Sequence, residues 1–179
     1  NANEYVEKLK SNDLLSILDS VNVKEGDVFF LETGTVHAIG AGLVVAEIQQ
    51  TSDITYRIYD FDRVDAQGNT RELHVDLALE AINYEKVETH KEYLEEENQS
   101  NSIVNCPYFT TNFIPLTDTI NISKTGNSFT VYMCIDGAFE IEYNMNMYQY
   151  QKGDTVLIPA AMDYYVMSGK ASILEIYIS

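Results

Sequence analysis

No stretch of this 179-residue chain approaches the ~20 consecutive apolar residues that a membrane span requires, and no basic-then-apolar leader opens it. Cysteine is scarce: Cys106 and Cys134 are the only two, both in or beside apolar strand-like sequence and without CxxC spacing. Free thiols in a reducing compartment follow, which predicts a cytoplasmic protein. Basic residues are few as well, 11 Lys and Arg against 28 Asp and Glu, for a formal net charge of −17. A field of that sign repels phosphate backbones and anionic lipid, so nucleic acid and membranes are excluded as expected partners. A small anionic ligand is not excluded, because a few cations inside a pocket outweigh a distant acidic surface. Tryptophan is absent, yet 13 Tyr and 7 Phe give an aromatic load that favours strands. With 45% hydrophobic residues the chain suits one globular domain or two small ones, neither needing a disulfide or metal staple.

Asn1-Ala2 looks like the remnant of a cleaved tag, ahead of apolar positions at helical spacing (Leu14, Leu15, Ile17, Leu18). From Lys24 the pattern changes to strands: Val28 to Leu31, Leu43 to Gln50 and Ile54 to Phe61. Asp65-Ala66-Gln67-Gly68-Asn69 reads as a turn. Leu73, Leu77, Ala78, Ala81 and Ile82 then share one face of a helix expected over 73–83. The charged stretch to Ser102, with Glu95-Glu96-Glu97, reads as a solvated connector. Beyond Ile103 strand signals dominate. Phe129, Val131, Met133 and Ile135 alternate, Asp136-Gly137 makes a turn, and Phe139, Ile141 and Tyr143 alternate again, which predicts a β-hairpin.

An internal repeat is the most informative feature. Gly26-Asp27-Val28-Phe29-Phe30-Leu31-Glu32-Thr33-Gly34-Thr35-Val36-His37 aligns, 127 residues on, with Gly153-Asp154-Thr155-Val156-Leu157-Ile158-Pro159-Ala160-Ala161-Met162-Asp163-Tyr164. Each copy reads as a Gly-Asp turn, a short strand, a tight turn and a residue projecting from the next strand. The pattern resembles the second motif of the cupin barrel, in which Gly, five residues, Pro, x, Gly, two residues and His place the last metal ligand. The first copy keeps Gly26, Gly34 and His37 with Glu32 at the proline position; the second keeps Gly153 and Pro159 with Tyr164 at the ligand position. The fold expected from two copies is mostly β: two cupin-type (double-stranded β-helix, or jelly-roll) barrels, the first incomplete, with short helices at the N-terminus and around 73–83. The expected divisions are a helical segment 1–20, a catalytic cupin half 21–102 and a degenerate barrel 103–179. His37 then reads as a metal ligand, Tyr164 as a barrel plug, and His74 and His90 as structural.

Period-2 reading puts Val45, Glu47 and Gln49 on one face, and Thr55, Arg57 and Tyr59 on one face of the next run. If those mixed faces line the first barrel, Glu47 and Arg57 join His37 in a pocket equipped for proton abstraction beside a polarised carbonyl. A solvent-facing Glu–Arg pair fits the periodicity equally well. Gly34-Thr35-Val36-His37-Ala38-Ile39-Gly40-Ala41-Gly42, Glu47-Ile48-Gln49-Gln50-Thr51-Ser52-Asp53-Ile54-Thr55-Tyr56-Arg57 and Arg71-Glu72-Leu73-His74-Val75 together resemble type I mannose-6-phosphate isomerase. The run from Gly26 to about Asn83 carries the specific part of the match, which continues through Pro159 to the end.

That resemblance implies a zinc-dependent aldose–ketose isomerase acting on mannose 6-phosphate and fructose 6-phosphate. It implies His37 as a zinc ligand, Glu47 and Arg57 as catalytic residues, and Arg57 also as a substrate contact. The family's other ligands, a Gln-x-His pair and a Glu, have no counterpart here, and one imidazole cannot hold zinc firmly. The expectation is therefore a C-terminal portion that is inactive alone, with zinc absent or weakly bound. A non-catalytic cupin module binding a sugar or sugar phosphate is the alternative.

Overall fold

A computed structural model of the chain describes residues 1–52, 54–61, 63–124 and 128–178. They fall into two compact units, Asn1–Val45 with Thr51–His90, and Ala46–Gln50 with Lys91–Ser179.

The first unit is short of regular pairing. Helix α1 (Ala2–Lys10) is capped by the Asn1 side chain, which accepts from the Glu4 N–H at 3.0 Å. Glu4 in its first turn and Lys8 and Lys10 in its last complement the helix dipole. A 3₁₀ turn follows at Leu14–Ile17. Strand β1 (Val28–Phe29) pairs with β2 (His90–Lys91), whose first residue closes the unit. The turn expected at 65–69 is present, with the Asp65 carboxylate accepting from the Gln67 and Asn69 N–H groups at 2.9 and 2.8 Å.

Two sequence expectations need correction here. The runs 43–50 and 54–61 form no strand among the described residues. Strands exist through their ladders, and neither run has a ladder partner; Val44 is fully exposed and Ile54 is 70% exposed. Helix α2 (Val75–Ala81) forms where its spacing predicts, but of the expected apolar face Ala78 alone is buried while Leu73 and Leu77 are exposed.

The second unit holds seven strands: β3 (Asn101–Asn105), β4 (Thr110–Leu116), β5 (Ile120–Ser123), β6 (Thr130–Tyr143), β7 (Asn146–Gln151), β8 (Thr155–Ile158) and β9 (Tyr164–Tyr177). Their order is β3-β4-β9-β6-β7, with β5 also on β9 and β8 also on β6. The long antiparallel pair β6–β9 is the axis. β9 gives Ala171–Tyr177 to β4 and Tyr164–Met167 to β5; β6 gives Thr130–Met133 to β8 and Ala138–Tyr143 to β7. Both strands thus change partners at the same level, as strands that pass from one sheet of a jelly roll to the other must.

The expected hairpin at Asp136-Gly137 is instead a bulge inside β6, where the register with β9 slips between Cys134 and Asp136. The hairpin turn lies further on, at Asn144-Met145. A bulge inserts one residue and so reverses the parity of inward positions. Tyr132 and Cys134 face inward before it, Phe139 and Ile141 after it, and the alternation beginning at Phe129 does not mark the buried face. The core they form with Ile114, Leu116, Ile158, Tyr165, Met167 and Ile173 fills the unit.

Glycine is obligatory at this bend. Gly137 has φ +75°, and a Cβ there would run into the Lys170 carbonyl oxygen; one at Gly169 would lie 2.6 Å from the Ala138 carbonyl oxygen. In the connector Glu95, Glu96 and Glu97 are exposed, as expected of a solvated charge run, but its end is tied to the sheet. Asn101 is buried, accepting from the Glu96 N–H (3.0 Å) and donating to its carbonyl (2.9 Å), while the Asn98 side chain accepts from the Thr117 and Asp118 N–H groups.

One carboxylate is enclosed. Glu175, 9% exposed, accepts from Ser100 Oγ (2.7 Å), Asn112 Nδ2 (2.8 Å) and Tyr132 OH (3.1 Å), and the Tyr132 and Tyr165 hydroxyls share a 2.8 Å hydrogen bond. Burial, with the charge of Glu175 adding to it, raises both phenols, Tyr165 to about 12.

Gly137→Ala should destabilise the second unit by about 3 kcal/mol or more in denaturant unfolding. Gly153→Ala, whose Cβ would enter open space, should cost only about 1 kcal/mol of backbone strain. A phenol whose folded-state pKa is raised stabilises the fold below the unfolded value, and the contribution is lost as pH rises through the folded one. Unfolding free energy should therefore decline from roughly pH 10 upward, with part of the decline removed in Tyr165→Phe; an unchanged profile in that variant would contradict the assignment.

Candidate active site

The repeat is visible as hydrogen bonding. In the first copy the Lys24 N–H donates to Asp27 Oδ2 (2.9 Å) and the Asp27 N–H to the Lys24 carbonyl (3.2 Å). In the second the Gln151 N–H donates to Asp154 Oδ2 (2.9 Å) and the Asp154 N–H to the Gln151 carbonyl (2.9 Å). Gly26 and Gly153 take matching φ values of +91° and +93°. The second turn recurs too, closed by Thr35 N–H to Glu32 carbonyl and by Met162 N–H to Pro159 carbonyl, each 3.0 Å. These paired turns bring the chain to His37 in one copy and Tyr164 in the other.

His37 is exposed, with Nδ1 2.8 Å from the Thr35 carbonyl oxygen. A carbonyl can only accept, so Nδ1 carries the proton and the Nε2 lone pair points away from it, the tautomer a metal ligand needs. Yet no group of three or more His, Cys, Asp or Glu side chains that could hold a metal gathers among the described residues. Zinc requires three or four protein ligands. The described residues therefore offer one ligand-ready imidazole and do not complete a zinc site. Tyr164 is not a barrel plug: it is 55% exposed, with its hydroxyl donating to Asn121 Oδ1 at 3.0 Å, and Tyr132 and Tyr165 fill the interior instead.

Gly34 sets the His37 turn against helix α2. It adopts φ +89°, its carbonyl accepts from the Asn83 N–H (2.9 Å), and a Cβ would lie 2.5 Å from the Ala81 carbonyl oxygen. Arg57 stands at the other end of the same helix. Its N–H donates to His74 Nδ1 (3.1 Å), its carbonyl accepts from the His74 N–H (2.7 Å), and its guanidinium reaches the Glu72 carbonyl (3.4 Å) and Asp60 (4.0 Å). Arg71 grips Asp60 with two guanidinium nitrogens, one at 2.7 Å. The Arg71 hydrogen bond holds the Asp60 carboxyl below the usual range, with Arg57 and Arg63 adding to the effect. Every arginine in the chain thus bears on one aspartate.

His37 and Arg57 lie in the first unit and share no hydrogen bond; Glu47 is exposed in Ala46–Gln50, the segment grouped with the second unit. His74 has a structural part, as expected, but its partner is Arg57. Asp60 escaped the sequence reading, and Arg71 entered it only as part of the family-like run, although Arg57-Ile58-Tyr59-Asp60 already sets a carboxylate three residues from the arginine. His90 packs its ring 5.3 Å from that of Phe29, with Nε2 3.8 Å from Asp27. Cys134 is buried and Cys106 half-buried, both free.

The bent jelly roll of the second unit is a cupin domain: residues 99–178 match the family model described as mannose-6-phosphate isomerase, cupin domain. The chain is 35% identical to mannose-6-phosphate isomerase ManA of Bacillus subtilis over 159 residues, 87% of this chain and 50% of that protein. It is 29% identical to mannose-6-phosphate isomerase of Streptococcus mutans, over 96% of this chain and 54% of that one. A crystal structure of mannose 6-phosphate isomerase from Bacillus subtilis superposes with a TM-score of 0.90 at 28% identity, covering 98% of this chain and 57% of that one. Mutant phosphomannose isomerase from Salmonella typhimurium shares the fold at a TM-score of 0.53 and 12% identity, over 62% of this chain and 29% of that one. Residues 99–178 thus carry the cupin domain of mannose-6-phosphate isomerases, and most of the chain is similar to those proteins in sequence and fold. It spans about half the length of the relatives it matches. Among the described residues no helix is long and apolar enough to cross a membrane.

Gly34→Ala should loosen the His37 turn and the C-terminal end of α2 together, read as at least tenfold faster amide exchange at Thr35 and Asn83. Gly42→Ala, with open space around its Cβ, should leave both unchanged.

Proposed function

We propose that the intact protein interconverts mannose 6-phosphate and fructose 6-phosphate, and that this chain carries part of its active site. The observation behind the reading is Arg57, whose half-buried guanidinium is steered by Asp60 and the Glu72 carbonyl within the run whose motifs resemble the isomerase family. An aldose–ketose isomerisation moves a proton between neighbouring carbons through an enediol that carries developing negative charge. A fixed guanidinium lowers that barrier because its charge needs no reorganisation during the reaction. Glu47 is the candidate for the carboxylate that shifts the proton.

His37 would give Nε2 to a zinc ion whose remaining ligands come from elsewhere in the intact protein. Because the described residues do not assemble those ligands, this chain alone is read as inactive. The exposed apolar residues of 43–61 support a first unit that is part of a second cupin barrel, with its ladder partners outside these residues. On this reading 1–20 would be a helical segment, 21–102 the catalytic half and 103–179 the degenerate barrel. Free Cys106 and Cys134 suit a cytoplasmic location.

Elemental analysis of this chain should find less than stoichiometric zinc and a coupled assay no turnover, both restored when the chain is extended to its relatives' length. In the extended protein Arg57→Ala should lower turnover at least ~100-fold with zinc content unchanged. Full turnover by this chain would refute the reading, and no turnover after extension would favour a sugar-phosphate-binding module.

A further inference from the structure

We propose that His74 is a positioning residue that acts through Arg57, and that helix α2 serves as the strut joining Arg57 to the His37 turn. The inference rests on the role given above to Arg57. His74 lies 17 residues beyond Arg57, yet it takes both backbone hydrogen-bonding groups of that residue: Nδ1 accepts its N–H at 3.1 Å and the His74 N–H donates to its carbonyl at 2.7 Å. Accepting at Nδ1 requires the neutral ring with its proton on Nε2. The ring lies beside Tyr56, centroids 6.2 Å apart.

His74 is also the N-cap of α2, and its carbonyl accepts from the Ala78 N–H at 2.9 Å. The helix therefore carries the Arg57 backbone at its start. At its other end Asn83 holds the Gly34 carbonyl, one residue before Thr35, whose own carbonyl fixes the His37 ring. Two turns of helix span roughly 10 Å, a fixed spacing between two groups that otherwise sit on unpaired chain. An arginine on a run with no ladder has its backbone free to drift, and displacement of a reacting group by about 1 Å can cost on the order of 100-fold. The His74 clasp supplies the restraint that a neighbouring strand would supply in a regular sheet. Asp60 and the Glu72 carbonyl aim the guanidinium, whereas His74 fixes where its Cα stands.

The test is a double-mutant cycle in the protein extended to its relatives' length. His74→Leu should lower kcat by roughly 10- to 100-fold with zinc content unchanged, and should cost nothing further in an Arg57→Ala background. His74→Asn, whose Oδ1 can still accept the Arg57 N–H, should return kcat to within about threefold of the parent. On the present chain, Arg57 amide exchange should be slow and should accelerate at least tenfold in His74→Leu but not in His74→Asn. An additive loss in the cycle, parental kcat in His74→Leu, or fast Arg57 exchange in the unmutated chain would each overturn the inference while leaving the role of Arg57 standing. Undiminished turnover in Arg57→Ala would instead remove the reading on which it depends.

Discussion

The antiparallel pairing of β6 with β9 is the constraint on which the second unit depends. It runs from Thr130↔Tyr177 to Glu142↔Val166, and within the seven-stranded sheet each remaining pairing but β3–β4 uses one of its two outer edges. A flat ladder of that length would expose one face of its side chains. Bending it lets both ends cover a single core, but only if the two backbones close to near contact at the bend. Gly137 and Gly169 make that approach, each with the partner strand's carbonyl where a Cβ would stand. The Cys134/Asp136 bulge adds the local twist and resets which side chains face inward. Partner exchange, core composition and parity are three consequences of one bend.

The enclosed polar cluster follows from the same geometry. Asn112 and Glu175 are paired across β4 and β9, and Tyr132 and Glu175 across β6 and β9, so a polar residue at 175 meets polar residues on both neighbouring strands. An unpaired carboxylate in such a place would be strongly destabilising. Three donors make it tolerable rather than favourable, since a well-packed apolar replacement is often no worse. What the arrangement adds is specificity: the Ser100 hydroxyl ties the loop before β3 to the last strand, a link that an apolar contact would make with less directional preference.

The sequence disclosed the parts of the fold that rest on local backbone chemistry. Gly-Asp at 26 and 153 closes the same hydrogen-bonded turn because Asp27 and Asp154 reach back to the N–H three residues earlier, so turn and residue type are inseparable. Helix α2 was legible for a similar reason. Features set by distant partners were not. Asp136-Gly137 has the composition of a hairpin turn, and only its ladder with residues 171 and 172 shows it to be a bulge. Runs 43–50 and 54–61 have strand composition, but composition cannot provide a partner. At the site, His37 emerged from motif spacing, whereas the Arg57–His74 clasp lay hidden because its 17-residue separation matches neither helical nor strand period.

The two copies of the repeat have diverged in a revealing way. Their backbone devices are the same, down to equal hydrogen-bond lengths in the second turn, so what differs is the side chain each delivers and its surroundings. The second copy ends in Tyr164, hydrogen-bonded to Asn121, in a unit whose interior is filled by its own core. The first copy ends in an imidazole whose tautomer is fixed by the Thr35 carbonyl and whose turn is braced by the helix that also clasps Arg57. A filled core fixes its side chains by packing, whereas loosely paired segments need explicit restraint. The restraints gathered around the first copy (Gly34 against Ala81, His74 on Arg57, Arg71 on Asp60) are therefore what the proposed chemistry there would require, whereas the second copy is held by its ladder.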